Sequence, residues 1–470
     1  MKVLFIASEC APIIKVGGLA DVVGSLPKTL KALGVNVSVA LPFYGAINIK
    51  RGNLRLVRKN LSVIFQGRKE NFNLWQTFLP GSRVPLFLIE NKKYFSGESV
   101  YIESDASSGG SERETARFLF LSVAGVEVAK RIKTEILHCH DWHTAAIPFL
   151  VKKEGFKIKT LLTIHNLGYQ GIYSYDIVNN LLGTNFSKNV NCIKLGILNA
   201  DFINTVSSSY ALEILTPRYG FGLEKYLQKR KKHLTGILNG LDSDLFNPET
   251  DSYLKKNYGA KNIKDKIYNK IYLQKKCFKS VNLEIPILGI VSRLADQKGM
   301  DLIKDLFTSL MKKNLQFILL GKGSKEYKVF FRKASKSFPE KCWVKIGFDE
   351  KLAHQIYGGA DIFLMPSFFE PCGLGQQIAM KYGTVPVARS VGGIKDTVEP
   401  LRIGKKKIKG TGFLFQRYKA GEFLKALKDA LKCYRTKDIW EQIQINGMKQ
   451  DFSWQKSAKK YKSLYKKILK

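Results

Sequence analysis

The sequence predicts an α/β protein built from two doubly wound parallel sheets. Short apolar runs that end in polar residues alternate with amphipathic helical segments, which is typical of parallel sheets covered by helices. This alternation pauses once, over GILNGLDSDLFNPETD at 236–251, and then restarts. A chain of 470 residues has room for two to four domains at roughly 100–200 residues each. With 45% hydrophobic and 25% charged residues, a fibrous or disordered chain is excluded.

The first half carries five predicted strands, each followed by a loop and a helix. A glycine-containing loop and the helix DVVGSLPKTLKA follow the first strand, and Gly34 ends that helix. The polar segment from about 92 to 112 breaks the pattern and is predicted to be a mobile surface loop. The strands are KVLFIAS at 2–8, VNVSVALP at 35–42, EILHCHD at 135–141, KTLLTIHN at 159–166 and DFINTVS at 201–207.

The second half repeats the architecture without visible sequence identity to the first. We therefore predict two Rossmann-like domains, 1–240 and 241–454, with a C-terminal helix at about 455–470. Ligands of doubly wound sheets bind beyond the carboxyl ends of the strands, so two such domains facing across a cleft predict a site there. The strands are IPILGIVSR at 285–293, LQFILLG at 315–321, KCWVKIG at 341–347, DIFLMPS at 361–367 and TVPVARS at 384–390.

The net charge and the cysteines indicate which partners and which cellular compartment to expect. The net charge is +38, which fits either a Lys-rich solvated surface or a polyanion partner. Nucleic acid is not expected, because most of the basic residues are Lys whereas base recognition favours Arg. The seven scattered Cys form no C-x-x-C pair, which indicates reduced thiols and a cytoplasmic protein. The first strand begins at residue 2 and no apolar run reaches roughly 18 residues, so neither a signal peptide nor a membrane contact is expected.

Three motifs follow strands of the first half. Lys15-Val16-Gly17-Gly18-Leu19-Ala20-Asp21 opens a helix, so it is either a phosphate-binding loop or a structural turn. His138-Cys139-His140-Asp141-Trp142-His143 allows a metal site, a cleft lining or packing at the sheet end. Thr163-Ile164-His165-Asn166 places His165 at a strand end, where it is either structural or catalytic.

Two motifs follow strands of the second half. In Ser292-Arg293-Leu294-Ala295-Asp296-Gln297-Lys298-Gly299, the two cations can converge on one anion, although Lys298 can also be an ordinary solvated lysine. In Glu370-Pro371-Cys372-Gly373-Leu374-Gly375, the carboxylate can bind sugar hydroxyls or cap a helix. Cys372 is not expected to be a nucleophile, because no His lies near it in the sequence.

Taken together, these motifs resemble those of bacterial glycogen synthases and plant starch synthases. The matching stretches occur in the family's order along nearly the whole chain, which makes the resemblance highly specific. They are KVGGLADVVGSLPKTL, HCHDWHTA, TIHNLGYQG, GILNGLD, SRLADQKGMDL, IYGGADIFLMPSFFEPCGLGQ, KYGTVPVARSVGGIKDTV and GTGFLF.

The resemblance implies a GT-B fold and a metal-independent glucosyltransferase without a cofactor. The enzyme would transfer glucose from ADP-glucose, with retention of configuration, to the non-reducing end of an α-1,4-glucan such as glycogen. The first domain would carry the acceptor, the second would bind the nucleotide sugar, and the C-terminal helix would pack back on the first.

The resemblance also implies a role for each motif residue. Catalytic roles fall to His165 against the glucosyl unit, Glu370 on the sugar ring, Arg293 and Lys298 on the diphosphate, and Asp141 in the cleft. Donor-binding roles fall to Lys15, Gly17, Gly18, Asp21, Asn239, Phe348 under the adenine, and the amides of Cys372, Gly373 and Gly375. Gly375 stands where many relatives have Thr, so a hydroxyl contact to phosphate is not expected there. Residues 95–111 match the family's usual loop poorly, which bears on the acceptor contacts more than on the donor contacts.

Two alternatives stay open beside this interpretation. The same fold can use UDP-glucose or another donor or acceptor, because base choice depends on a few contacts that the motifs do not determine. A non-catalytic basic protein that binds glucan or a polyanion is the other alternative, in view of the +38 charge. The sequence contains no indication of an oligomeric state.

Overall fold

The computed structural model describes residues 1–97, 99–101, 111–278, 280–404 and 407–470. The chain forms two compact units. One unit is Met1–Gly240 together with Trp454–Lys470, and the other is Leu241–Ser453. Both are α/β units with a predominantly or wholly parallel main sheet, as the alternation in the sequence predicts.

The first unit is built on a nine-stranded sheet with the order β11-β10-β7-β6-β1-β2-β5-β4-β3. In chain order, the strands of this unit are β1 (Lys2–Ile6), β2 (Asn36–Pro42), β3 (Arg55–Phe65), β4 (Arg68–Phe78), β5 (Pro85–Glu90), β6 (Ile136–His140), β7 (Lys159–Ile164), β8 (Ile172–Tyr173), β9 (Val190–Asn191), β10 (Phe202–Thr205) and β11 (Leu234–Gly236). The helices are α1 (Gly18–Ala32), α2 (Lys92–Phe95), α3 (Glu112–Arg131), α4 (Ile147–Lys153), α5 (Tyr175–Leu182), α6 (Cys192–Asn199), α7 (Ser208–Glu213), α8 (Pro217–Gly220) and α9 (Glu224–Lys229).

The second unit is built on a six-stranded sheet with the order β14-β13-β12-β15-β16-β19. All its neighbouring strands are parallel. The strands are β12 (Ile287–Leu294), β13 (Gln316–Gly323), β14 (Cys342–Ile346), β15 (Ile362–Met365), β16 (Val385–Arg389), β17 (Arg402–Ile403), β18 (Ile408–Lys409) and β19 (Phe413–Phe415). The helices are α10 (Lys266–Cys277), α11 (Met300–Met311), α12 (Lys325–Ser337), α13 (Glu350–Gly359), α14 (Gly375–Lys381), α15 (Gly392–Thr397), α16 (Ala420–Tyr434) and α17 (Lys437–Met448).

The strand–helix alternation did not predict the antiparallel β3–β4 hairpin at one edge of the first sheet. Gln66 and Gly67 connect the two strands with φ values of 57° and 66°. Positive φ at both residues is the geometry of a two-residue turn whose twist matches the paired strands. The hairpin therefore adds two strands to the parallel sheet, since β4 pairs antiparallel with β5.

The prediction of a mobile surface loop at about 92–112 is wrong for part of that segment. Tyr94 and Phe95 lie in α2 and are buried. The Tyr94 ring stacks on Phe120 of α3 with 4.5 Å between ring centroids, so the helix is held by core packing. Within the same segment, residue 98 and residues 102–110 lie outside the described residues.

The last helix, α18 (Trp454–Leu469), belongs to the first unit. Its buried side chains recur at helical spacing, and two of them make polar contacts in the core. Tyr465 Oη lies 2.8 Å from His138 Nδ1, and Asn204 donates from Nδ2 to Tyr461 Oη at 2.8 Å. Thr163 Oγ1 lies 2.6 Å from His138 Nε2, so these contacts form one buried network between α18 and the sheet. Buried polar groups with partners both stabilise and orient the elements that carry them.

The imidazoles of the HCHDWH run are packed in the core of the first unit. His138, His140 and His143 are all buried. Within the described part of the chain, no group of three or more His, Cys, Asp or Glu residues could hold a metal ion. Burial lowers the pKa of His138 and His140 well below the usual value, and lowers the pKa of His143 to about 3. The sequence leaves three interpretations open for this run. For these three histidines, the structure agrees with packing at the end of the sheet.

All seven cysteines are free. Among the described helices, none is both long and apolar enough to cross a membrane.

We expect the Tyr461→Phe substitution to loosen α18. It removes the acceptor of the Asn204 amide, and an unsatisfied buried donor costs about 1–3 kcal/mol. Hydrogen exchange of the 454–469 peptide should therefore become roughly tenfold to a hundredfold faster. Tyr268→Phe is the matched control, because Tyr268 is 52% exposed. Unchanged exchange in Tyr461→Phe would show that the network does not hold the helix.

We also expect the first unit to lose stability as the pH falls from 7 to 5. The three core imidazoles are neutral in the folded chain but protonate in the unfolded chain below pH 6.5. Each imidazole can lower the free energy of unfolding by up to about 2 kcal/mol between pH 7 and pH 5. Asp141 acts in the opposite direction, because its raised pKa adds stability as the pH falls, but it is one group against four, since burial also lowers the pKa of His165 to about 3.

Urea unfolding at pH 7, 6 and 5, followed by hydrogen exchange in peptides of the first unit, measures this loss. His143→Leu should reduce the proton uptake on unfolding by about one. His233→Gln is the comparison variant, which removes an imidazole from an exposed position of the same unit. A midpoint that rises toward pH 5 would contradict the expectation.

Candidate active site

A buried carboxylate that the sequence analysis missed organises the glycine loop of the first unit. Glu9 follows β1 and is 2% exposed. The amides of Val16 and Gly17 donate to its Oε2 at 2.6 and 2.8 Å, and the Tyr101 hydroxyl donates to Oε1 at 2.8 Å. The Gly17 amide, expected to face the donor, is thus bonded to the protein's own carboxylate. The available signal was the position of Glu9 at the carboxyl end of a predicted parallel strand.

Lys15 and Asp21 form an ion pair across the same loop. Lys15 Nζ lies 2.6 Å from Asp21 Oδ1, and the two side chains are 40% and 26% exposed. The lysine charge is therefore partly balanced within the loop. A side chain at Gly18 would meet no described atom within 4 Å, and the φ of Gly18 is not positive. Nothing within the described chain thus requires glycine at this position.

Asp141 holds the backbone that carries His165. Asp141 is 8% exposed, has a φ of 54°, and accepts from the amides of His165 at 2.6 Å and Asn166 at 3.3 Å. Burial raises its pKa to about 7 against the opposing effect of these hydrogen bonds. Asp141 therefore positions the loop after β7. The catalytic role expected of it from the sequence stays a prediction.

The His165 ring is neutral near pH 7. Burial lowers its pKa to about 3, and its Nε2 lies 3.0 Å from Nδ1 of the neighbouring His140. The residue keeps partial exposure, so the ring can meet a ligand from one side. A neutral imidazole can donate or accept one hydrogen bond but supplies no charge.

Asn239 lies near the end of the first unit's main segment. It is 6% exposed, and its Oδ1 is buried without a hydrogen-bond partner in the described part of the chain. A buried polar atom without a partner is unusual and often marks a functional position.

The second unit brings two of its predicted residues into direct contact. Lys298 Nζ lies 2.8 and 2.6 Å from the two oxygens of Glu370, and Ser367 donates to Glu370 Oε2 at 3.0 Å. The lysine and glutamate side chains are only 18% and 6% exposed. Two open alternatives are therefore wrong. Lys298 is not a solvated lysine, and Glu370 does not cap α14, whose N-cap position is Leu374.

A close backbone approach holds these two loops together. Gly299 has a φ of 73°, and a Cβ there would lie 2.1 Å from the carbonyl oxygen of Pro366. Both the conformation and the space require glycine. The turn after β12 is therefore fastened to the segment after β15.

The remaining predicted residues of this unit lie in loops or at the start of α14. Arg293 is exposed and donates from Nη2 to Gln297 Oε1 at 2.7 Å. Phe348 follows β14 and is 81% exposed, the largest exposed fraction among the described large apolar side chains that are exposed. Cys372 is buried, with the Gln377 amide nitrogen 3.7 Å from its sulfur. Gly373 has a φ of 71°, and Gly375 is the first residue of α14.

Two family models match the two halves of the chain. The starch synthase catalytic domain matches residues 2–229, and glycosyl transferases group 1 matches residues 275–446. Among curated relatives, the proteins named glycogen synthase from Thermotoga petrophila and Thermotoga maritima are 42% and 41% identical. Each alignment covers 100% of this chain and 99% of the relative.

The chain is also similar to solved structures over nearly its whole length. The catalytic domain of starch synthase IV from Arabidopsis thaliana, bound to ADP and acarbose, is 33% identical with a TM-score of 0.89. That alignment covers 100% of this chain and 99% of the solved one. A sucrose-phosphate synthase from Thermosynechococcus elongatus, 17% identical with a TM-score of 0.64, shares the fold over 99% of this chain and 98% of its own.

The buried carboxylate–lysine pair, the ordered glycine loop and these full-length matches agree with the motif order in the sequence: the chain belongs to the glycogen and starch synthase family of GT-B glycosyltransferases.

Proposed function

We propose that this chain elongates an α-1,4-glucan such as glycogen by transferring glucose from ADP-glucose to the non-reducing end. The transfer retains the configuration at C1 and uses no metal ion or cofactor. The observation that carries the proposal is the Lys298–Glu370 pair, a buried cation and carboxylate on adjoining loops. Relatives named glycogen synthase, and a starch synthase solved with ADP and acarbose, support it.

The second unit would bind the donor. Arg293 and Lys298 would neutralise the diphosphate as its negative charge rises on leaving, a role that other transferases assign to a metal. Glu370 would accept hydrogen bonds from the glucose hydroxyls while it keeps Lys298 in place. The exposed Phe348 ring would stack on adenine. The amides of Cys372, Gly373 and Gly375 would bind sugar or phosphate oxygens.

The first unit would hold the reacting sugar. Lys15, with Asp21 beside it, would face the sugar and phosphate end, together with the Gly17–Gly18 backbone. The orphaned Asn239 oxygen would accept a sugar hydroxyl, and neutral His165 would lie against the glucosyl unit. Asp141 would act through the His165 loop, since its carboxylate already accepts two backbone amides.

Retention follows most simply from a front-face reaction. The C1–O bond to the diphosphate breaks, a bond from C1 to the acceptor O4 forms, and the 4-hydroxyl proton passes to an oxygen of the leaving phosphate. A double displacement would need a free carboxylate as nucleophile. Glu9 and Asp141 both accept backbone amide hydrogen bonds, which favours positioning roles for them. Trapping a covalent glucosyl-enzyme would overturn this mechanism.

The first test compares nucleoside diphosphate release from ADP-glucose and from UDP-glucose with glycogen as acceptor. We expect glycogen-dependent release from ADP-glucose that falls at least about a hundredfold in Lys298→Ala, since the substitution removes a charge from the leaving group. Arg293→Gln is a second variant, because Arg293 is exposed and its loss leaves no buried charge. Lys312→Ala is the matched control on an exposed lysine of the same unit.

Each outcome of this test decides between the open alternatives. Release from UDP-glucose alone would keep the fold and replace the donor. No release from either donor, together with tight and steeply salt-dependent polyanion binding, would establish a binding protein. Unchanged turnover in both Lys298→Ala and Arg293→Gln would refute the diphosphate role.

A second expectation concerns Gly18, where the folded chain leaves room for a methyl group. Gly18→Ala should keep the thermal unfolding temperature within about a degree of the wild type or raise it, because alanine favours a helix start as well as glycine does. The KM for the donor should rise severalfold if the donor approaches this backbone closely. Gly421→Ala is the control, since a Cβ there also meets no described atom. Equal kinetics for the two variants would remove Gly18 from the donor site.

A further inference from the structure

A cavity of about 600 Å3 lies in the first unit, apart from every residue assigned above. It is lined by β10, β11 and the segments next to them, and by one face of α18. The lining residues are Phe202, Lys232, His233, Leu234, Thr235, Gly236, Ile237, Lys459, Lys460, Ser463, Leu464 and Lys467. None of the donor or catalytic residues proposed above is among them, so the cavity is a separate feature of the fold.

The cavity wall is basic and contains no carboxylate. Four lysines and a histidine line it, with no Asp or Glu. In the part of the chain that the structure describes, none of Lys232, Lys459, Lys460 and Lys467 forms an ion pair with an acidic side chain. Like charges around a concave surface focus a positive potential into it, which attracts anions.

The cluster combines three lysines from one helix with a fourth that folding brings to them. Lys232 precedes β11, whereas the other three lysines lie on α18, more than 220 residues later. On that helix, positions 459, 460, 463 and 467 share one face at helical spacing. Lys456 and Lys466 of the same helix are exposed but do not line the cavity.

The cavity also has an apolar part, which limits what can fill it. Phe202, Leu234, Ile237 and Leu464 contribute apolar surface. The ammonium of Lys467 lies 5.1 Å from the centre of the Phe202 ring. The His233 ring makes an edge contact with the same Phe202 ring, with 5.1 Å between the ring centroids. A bare inorganic anion would use the lysines and leave the apolar part of the lining uncovered. The volume of the cavity is within the range of sites for small organic ligands, roughly 300–1,000 Å3.

We propose that this cavity, which we call the basic cavity, binds a small organic phosphate of sugar-phosphate or nucleotide size. Lysine ammonium groups bind phosphate as point charges and would hold the phosphate at Lys460 and Lys467. The organic part would lie on Phe202 and the neighbouring apolar side chains. The site is distinct from donor binding and does not depend on the catalytic proposal.

Calorimetric titration of the full chain at about 0.15 M salt tests this, with glucose 6-phosphate, AMP and inorganic phosphate as probes. The cavity variant is Lys460→Gln/Lys467→Gln. The matched control is Lys456→Gln/Lys466→Gln, which removes the same charge from the same helix. All four lysines are exposed, so both variants should fold, and hydrogen exchange of the 454–469 peptide checks this.

We expect at least one of the two organic probes to bind the wild type at least about fivefold more tightly than inorganic phosphate. That binding should weaken at least about tenfold in the cavity variant and less than about twofold in the control, because only the cavity lysines contact the phosphate. The probe that shows this pattern identifies the ligand as a sugar phosphate or a nucleotide.

Three results would overturn the proposal. One is no binding of either organic probe to the wild type. Another is an equal loss in the cavity and control variants, which would indicate diffuse attraction to a basic surface. The third is binding of inorganic phosphate as tight as that of both organic probes, which would make the cavity a simple anion site.

Discussion

Each of the two main sheets reverses its strand order beside its first strand, and four charged residues of the candidate site follow the strands at these two reversals. In the first unit, β1 lies between β2 and β6, and in the second, β12 lies between β13 and β15. The connections that leave neighbouring strands then diverge, which opens a crevice at their carboxyl ends. Glu9 and Asp141 follow β1 and β6, and Lys298 and Glu370 follow β12 and β15. Residues 72 or more positions apart are thereby brought to a common edge.

The charged groups at these crevices are already partnered within their own units. Glu9 binds two loop amides, Asp141 binds the His165 backbone, and Glu370 binds Lys298 through both oxygens. A buried charge without a partner is strongly destabilising, so the fold keeps each one paired. Under the proposed function, the donor's phosphates and hydroxyls add to groups that are held in place beforehand. Preorganised charges of this kind stabilise a transition state without the cost of reorienting solvent.

The alternating strands and helices could be predicted from the sequence, but contacts between distant segments could not. The predicted strands are present because short apolar runs with polar ends leave few alternatives in a parallel sheet. The β3–β4 hairpin departs from that rhythm, and α2 is held by Tyr94 and Phe95, whose partner Phe120 lies in another helix. The role of His138 depends on Tyr465, 327 positions later, which no local pattern indicates. The motifs predicted which residues carry chemistry, whereas the Lys298–Glu370 contact required the fold.

The net charge of +38 has no single structural cause, yet its distribution separates two kinds of lysine. Acidic residues number 39 against 77 basic ones, so with one-to-one pairing at least 38 basic residues, about half, have no carboxylate partner whatever the fold. An isolated exposed lysine is well solvated and needs none. A lysine in a concave wall beside other lysines is different, because solvent is partly displaced and the repulsion is less screened. Total charge therefore does not indicate a ligand. A concave surface that carries lysines without nearby carboxylates is a better indication of an anionic ligand. The basic cavity combines these two features with the aromatic ring of Phe202.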